Sequence, residues 1–135
     1  MSLAIVYTRA ALGIEAPLIT VEVHLSNGLP GLTMVGLPET TVKEARDRVR
    51  SALINSGYAF PAKKITINLA PADLPKEGGR YDLPIALALL VASEQLNTTR
   101  LNQYEFVGEL ALTGGLRGVP GAIPSAMEAI KAGRR

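Results

Sequence analysis

The stretch Pro17–Leu18–Ile19–Thr20–Val21–Glu22–Val23–His24–Leu25–Ser26 decides the fold class. Its odd positions are Pro17, Ile19, Val21, Val23 and Leu25; its even positions from Thr20 on are Thr20, Glu22, His24 and Ser26. Successive side chains of a strand point to opposite faces, so this alternation describes a strand with one buried face and one wet face. A sheet covered on one side is the natural setting for it.

Working outward, residues 3–8 read as a preceding strand. Asn27–Gly28 is a turn signal, extended by Leu29–Pro30–Gly31, and residues 32–35 make a third, short strand. The three are expected to form an antiparallel meander. Gly36–Leu37–Pro38–Glu39 leads into an amphipathic helix, with Val42, Ala45, Val49, Ala52 and Leu53 at helical spacing and an end near Ser56–Gly57. Thr40 or Thr41 is placed to cap it, with Glu44 completing a capping box from Thr41. Ile65, Ile67 and Leu69 alternate with Thr66 and Asn68, giving a fourth strand. A polar loop runs from Pro71 to Tyr81. An apolar helix is expected from Asp82 to about Leu96, with Pro84 tolerated in its first turn. Residues 104–112 read as a strand, Thr113–Gly114–Gly115 as a tight turn and 116–119 as a partner strand. A last helix spans 123–132, with Gly133 after it. The order β-β-β-α-β-α-β-β-α implies an α+β domain, a sheet with helices mainly on one face.

Composition narrows the chemistry. The 135 residues make one ordinary domain, and 47% apolar content is enough for a core. A net charge of +2 does not by itself mark a nucleic-acid binder. The absence of cysteine excludes disulfides, thiolate metal sites and thiol nucleophiles. With His24 as the single histidine, a His-rich metal site is hard to build. No apolar run is long enough to span a bilayer, and the first residues lack the look of a secretion signal. A soluble, cytoplasmic protein that makes no use of a membrane is expected.

Individual sites are weak. No G-x-x-x-x-G-K-[ST] phosphate loop exists. Glu77–Gly78–Gly79–Arg80 precedes a helix and could hold an anion; the plainer and favoured reading is a flexible loop. Ser125, near a helix start, has Lys131 as its nearest downstream lysine, but six residues put that amine about 240° around the helix. Glu22 and His24 share a strand face without a third ligand in view. Asp73, Glu77 and Asp82 lie in one loop, and Asp82 also reads as a plain helix cap. Arg46, Arg48 and Arg50 cover more than one helix face, with Glu44 and Asp47 interleaved. With Lys63 and Lys64 they are the candidates for contact with nucleic acid or a partner, against the plainer reading of a solvated face.

Longer segments carry a resemblance. Ala4–Ile5–Val6–Tyr7–Thr8–Arg9–Ala10, Leu29–Pro30–Gly31–Leu32–Thr33–Met34–Val35–Gly36–Leu37–Pro38 and Val42–Lys43–Glu44–Ala45–Arg46–Asp47–Arg48–Val49–Arg50 resemble the opening of the ComM/YifB family of magnesium-chelatase-like, or competence, proteins. Asn68–Leu69–Ala70–Pro71–Ala72–Asp73–Leu74–Pro75–Lys76–Glu77–Gly78, with Asp82–Leu83–Pro84–Ile85–Ala86, fits the same family. The resemblance covers essentially the whole chain. It implies the fold of the Lon peptidase domain and of the second domain of ribosomal protein S-five. It also implies that residues 1–135 form one Lon-like amino-terminal domain, cut before its last strand, with an AAA+ module beyond. That module would bind ATP and Mg2+, assemble as a homo-hexamer with neighbouring subunits, and act as a branch-migration helicase on DNA during natural transformation. No cofactor is expected in this portion.

Against Lon-type peptidases the resemblance implies a lost active site. Their serine sits in a Pro-Ser-Ala-Gly context at the start of the helix after the acidic loop; here Tyr81–Asp82–Leu83–Pro84 stands there, so Asp82 takes the serine's place. Their lysine sits in a Gly-Gly-Leu-Lys context at the last helix; here Gly108–Glu109–Leu110–Ala111–Leu112 matches the preceding strand and Ile123 falls near the lysine's place. A carboxylate and an isoleucine cannot form a serine–lysine dyad. A non-catalytic domain is therefore expected, with a Lon-type peptidase and a magnesium-chelatase subunit as the alternatives.

Overall fold

Each strand that alternates in sequence buries its apolar set. The computed structural model describes residues 3–74, 76, 78–97 and 100–135. Strands β1 (Leu3–Arg9), β2 (Leu18–Ser26), β3 (Gly31–Val35) and β4 (Lys64–Ala70) form one sheet in the order β1-β2-β4-β3. Val21 stands between Val6 and Leu69, and Val23 between Ala4 and Ile67, so the buried positions line up across the ladder. The opposite face keeps Leu3, Ile5, His24 and Val35 exposed.

The sheet is mixed, and this corrects the expected meander. β1–β2 and β2–β4 are antiparallel, but β3 pairs with β4 in parallel and is not hydrogen-bonded to β2. Burial explains the order. Ile65, Ile67 and Leu69 of β4 are all buried, which suits an interior position, whereas only Met34 of β3 is, which suits an edge. The parallel pair needs a crossover, and helix α1 (Glu39–Asn55) supplies it. Gly36 leaves β3 at φ +96°, where an added Cβ would sit on the Leu69 carbonyl oxygen; only glycine fits.

Helix α2 (Asp82–Ala92) packs over β1 and β2 and beside α1. Ile85, Leu89 and Leu90 join Val6, Ile19, Val21 and Ile67 in one core with Val49 and Leu53 of α1. The fold is thus α+β with α1 and α2 on the buried face of the sheet, as expected. Helix details differ. Pro38 occupies the cap of α1 without a side-chain cap bond, so the Thr41–Glu44 capping box does not form. α2 ends at Ala92, because Glu94 adopts φ 61° and turns the chain away.

The expected strand at 104–112 shrinks to β5 (Glu109–Leu110), paired with β6 (Leu116–Arg117). Gly108 instead exchanges backbone hydrogen bonds with the loop before α2, donating to Arg80 O and accepting from Leu83 N. Glu105 bridges Tyr7 of β1 in parallel. Helix α3 (Ala122–Lys131) is followed by Gly133 at φ +80°. This last third is held to the sheet by charge. Glu105 accepts two bonds from Arg9 at 2.7 and 2.9 Å and one from Arg134 at 2.8 Å. The Arg134 guanidinium also lies 4.3 Å from the Tyr7 ring centre. Among the described residues no helix is long and apolar enough to cross a membrane.

Candidate functional site

Asp82 opens α2 as its first residue, with Tyr81 at the cap. It is therefore not the plain cap: its side chain leaves the helix end and meets Arg48 from α1. Arg48 Nε donates to Oδ2 at 2.7 Å and Nη2 to Oδ1 at 3.2 Å, while the Leu110 N–H of β5 donates to Oδ2 at 3.1 Å. One carboxylate joins α1, α2 and β5. Burial pushes its pKa above the usual value of 3.8, with the Arg48 and Leu110 bonds opposing. The bond to Asp82 holds the Arg48 proton more tightly than usual, against its own desolvation. Burial wins at Asp82, whose side chain is 1% exposed. Both oxygens are engaged, and solvent has no path to them.

Ile123, expected from the resemblance near the Lon-type lysine's place, lies on α3 and is 75% exposed. Lys131 pairs with Glu128 at 3.6 Å on the surface. The buried lysine is Lys76, whose amine donates to Pro71 O at 2.5 Å and Leu74 O at 3.1 Å. Burial lowers its pKa, with Asp73 opposing. Ser93 Oγ donates to Leu89 O within α2 at 2.7 Å, and Ser125 Oγ accepts a 3.4 Å bond from Arg80. Among the described residues no serine hydroxyl bonds to a lysine amine.

The other candidate clusters do not form among the described residues, and His24 is the exposed strand residue of its plainer reading. Glu22 accepts from Asn68 at 2.8 Å, and His24 is exposed on the open sheet face. Asp82 turns to Arg48 rather than toward Asp73, and Glu77 lies outside the described residues. The start of α2 carries the Asp82 carboxyl, which disfavours an anion at its tip, the lesser of the two readings of that loop.

The basic candidates sort into two groups. Arg46 and Arg50, four residues apart on α1, lie on one side of the helix with Lys63 beyond them. All three line a groove of about 620 Å3 between α1, β3 and the entry to β4, together with Asp47, Leu32 and Phe60. The Arg50 guanidinium stands 5.8 Å from the Phe60 ring centre, and Arg46 Nε is 3.7 Å from Asp47. Arg48 does not belong with them. Two residues along a helix is about 200°, which turns it inward onto Asp82 and corrects its reading as a surface contact. Lys64 begins β4, exposed and in alternation with Ile65, on the open sheet face. Sequence reasoning missed the Arg48–Asp82 pair. The signal available was a charged residue heading an apolar helix; nothing local named a partner 34 positions away.

A family model described as subunit ChlI of Mg-chelatase matches residues 21–135. The chain is 82% identical, over all of its length, to YifB of Escherichia coli (strain K12), and 84% identical over 99% of it to YifB of Salmonella typhimurium. It is 68% identical, over 99% of its length, to competence protein ComM of Haemophilus influenzae. The chain belongs to the ComM/YifB family. It spans about a quarter of the length of these relatives: 27% of the first, 26% of the second and 26% of ComM. Within this ComM/YifB chain, the Asp82 seam and the groove of Arg46, Arg50 and Lys63 are two separate places, one closed to solvent and one open.

Proposed function

We propose that this chain is the non-catalytic, Lon-like amino-terminal domain of a ComM/YifB-type AAA+ motor, and that its groove of Arg46, Arg50 and Lys63 carries the phosphate backbone of a DNA strand. Membership of a family that includes a competence protein supports the DNA-directed part. The observation that carries the role of this portion is the convergence of three cations from two segments on one open groove. Asp82, which the resemblance sets at the place of a peptidase serine, has both oxygens held by Arg48, and this supports the loss of peptidase chemistry. ATP and Mg2+ would then act in a separate AAA+ module, in a hexameric, cytoplasmic assembly, with branch migration as the activity.

Salt tests the groove directly. Three phosphate contacts on single-stranded DNA release about two counterions, so log affinity should fall against log salt with a slope of roughly −2. Fluorescence anisotropy with a labelled oligonucleotide reads this. Replacing Arg46, Arg50 and Lys63 by alanine should flatten the slope, and Asp82→Asn should leave it unchanged. No binding at low salt, or an unaltered slope in the triple variant, defeats the groove assignment. Cleavage of unfolded casein would defeat the non-catalytic reading. A chelatase-subunit role remains as a second reading because the matching family model describes ChlI.

A further inference from the structure

The backbone of residues 103–107 is bonded on two sides. Tyr104 is extended, at φ −126° and ψ 156°. Toward β1, the Phe106 N–H donates to Tyr7 O at 3.0 Å and Glu105 bridges Tyr7 in parallel. Away from β1, the Arg135 N–H donates to Gln103 O at 3.0 Å and the Glu105 N–H donates to Arg135 O at 2.6 Å. Arg135 thus bonds both chain neighbours of Tyr104, which is the first rung of a parallel ladder. A parallel pair needs a crossover, and α3 lies between these two segments as α1 lies between β3 and β4.

The ladder has room to continue. Gln103 and Glu105 turn their backbone groups toward Arg135, and Val107 is the next residue on that side. Among the described residues, Glu105 O and the Val107 N–H have no backbone partner. An edge with free N–H and C=O groups is a template for another strand. A groove of about 170 Å3 borders the same edge, lined by Phe106, Val107 and Arg135 and, from α3, by Ala122, Ala126 and Ala129. Its helix side is built of small apolar residues.

We propose that the polypeptide following Arg135 runs as a strand parallel to residues 103–107 and fills this groove with every second side chain. The second residue after Arg135 donates to Glu105 O and accepts from the Val107 N–H, and the side chains facing α3 are apolar. The occupant is the chain's own continuation. Arg135 already sits on the first rung, so the residues after it reach the edge at an effective concentration that a separate partner lacks. The chain spans 26% of the length of ComM, so the family has polypeptide to supply the strand. The proposal rests on the reading of this chain as one portion of a longer motor protein.

Hydrogen exchange followed by mass spectrometry, resolved to single amides, compares the full-length protein with residues 1–135 alone. The Val107 amide should exchange about 100-fold more slowly in the full-length protein, as a ladder bond inside a sheet does. Ala126→Glu sets a carboxylate in the groove. Ala126 is exposed in residues 1–135, so the melting temperature of that piece should hold while that of the full-length protein falls. Equal exchange at Val107 in the two proteins, or an unchanged melting temperature in both Ala126→Glu variants, would overturn the strand. Protection of Val107 in residues 1–135 that grows with protein concentration would give the edge to a second copy and overturn it too. The mass of the natural protein tests the underlying reading separately, and neither exchange nor melting depends on DNA.

Discussion

Asp82 and Glu105 are both buried carboxylates bound to arginine, yet they respond to burial in opposite ways. Asp82, at the seam of α1, α2 and β5, has one arginine and one backbone N–H, and its pKa stays above the ordinary value. Glu105, where the last third of the chain meets β1, has two arginines, Arg9 and Arg134. Burial raises its pKa there too, but the bonds from both guanidiniums outweigh it and the net shift is downward. Desolvation opposes the charged form at each site, and the number of counter-charges decides the outcome. The Asp82 region is also backed by apolar packing, with Ile85, Leu89 and Val49 all buried nearby in the core. The Glu105 region has strands of two residues and relies on its charges.

The comparison is broken most severely at Glu105. Glu105→Gln leaves Arg9, with a side chain 9% exposed, without its anion. Removing one partner of a buried pair costs about 3 kcal/mol or more. Urea unfolding should show that loss, and it should exceed the loss in any variant at Asp82 that keeps the shape of the side chain. A cost below about 1 kcal/mol would mean that packing, rather than charge, holds the last third.

Acid should separate the two sites by sign. Glu105 has a folded pKa below its unfolded value near 4.5, so its contribution is complete above that pH and is lost as pH falls through the lowered folded value. Asp82 has a folded pKa above 3.8, so its ionised form is a burden at neutral pH, relieved as pH falls through the raised value. Relative to the wild type, Glu105→Gln should therefore lose less stability on acidification below pH 4.5, and Asp82→Asn should lose more. Denaturant midpoints measured from pH 7 down to 3 give both slopes. Parallel curves for the two variants would remove the contrast.

At neutral pH Asp82→Asn should cost about 1 kcal/mol, since the amide oxygen can still accept from Arg48 or Leu110 and the buried charge is gone. Its cost is expected to be a third or so of that at Glu105. An equal or larger cost would show that the seam depends on the ion pair itself.

The same contrast explains what could be read from the sequence. Alternation at Ile19–Leu25 and Ile65–Leu69 fixes faces because a period of two has one physical cause, and those residues are buried as that pattern requires. Pairing order was not legible. Nothing in residues 32–35 says that their neighbour is β4, because that depends on which strand can be apolar enough for the interior. The stretch 104–112 looked like a strand because Phe106, Val107, Leu110 and Leu112 are apolar, yet its backbone bonds go to Tyr7, Arg80 and Leu83. For the candidate site, helix geometry alone separates Arg48 from Arg46 and Arg50. The partner that makes this separation matter, Asp82, is reached only through the tertiary fold. Arg80 stood out in the sequence only as the end of the Glu77–Gly78–Gly79–Arg80 loop; its burial, and that of Tyr81, has no local pattern.

The finest test converts one site into the other. Arg134→Ala removes the outer of the two guanidiniums on Glu105 and leaves the two-bond pairing with Arg9 intact. Glu105 then resembles Asp82, a buried carboxylate with a single arginine. If the count of counter-charges sets the direction, the Glu105 pKa should rise in this variant toward or past 4.5, which carboxyl 13C NMR can follow. The stability cost should be small, about 1 kcal/mol, because Arg134 is 18% exposed and what is lost is one charge-assisted bond and its stacking on Tyr7. A Glu105 pKa that stays low without Arg134 would show that Arg9 alone suffices. The difference from Asp82 would then lie in pairing geometry: Arg9 holds Glu105 with bonds of 2.7 and 2.9 Å, whereas the second bond from Arg48 to Asp82 stretches to 3.2 Å.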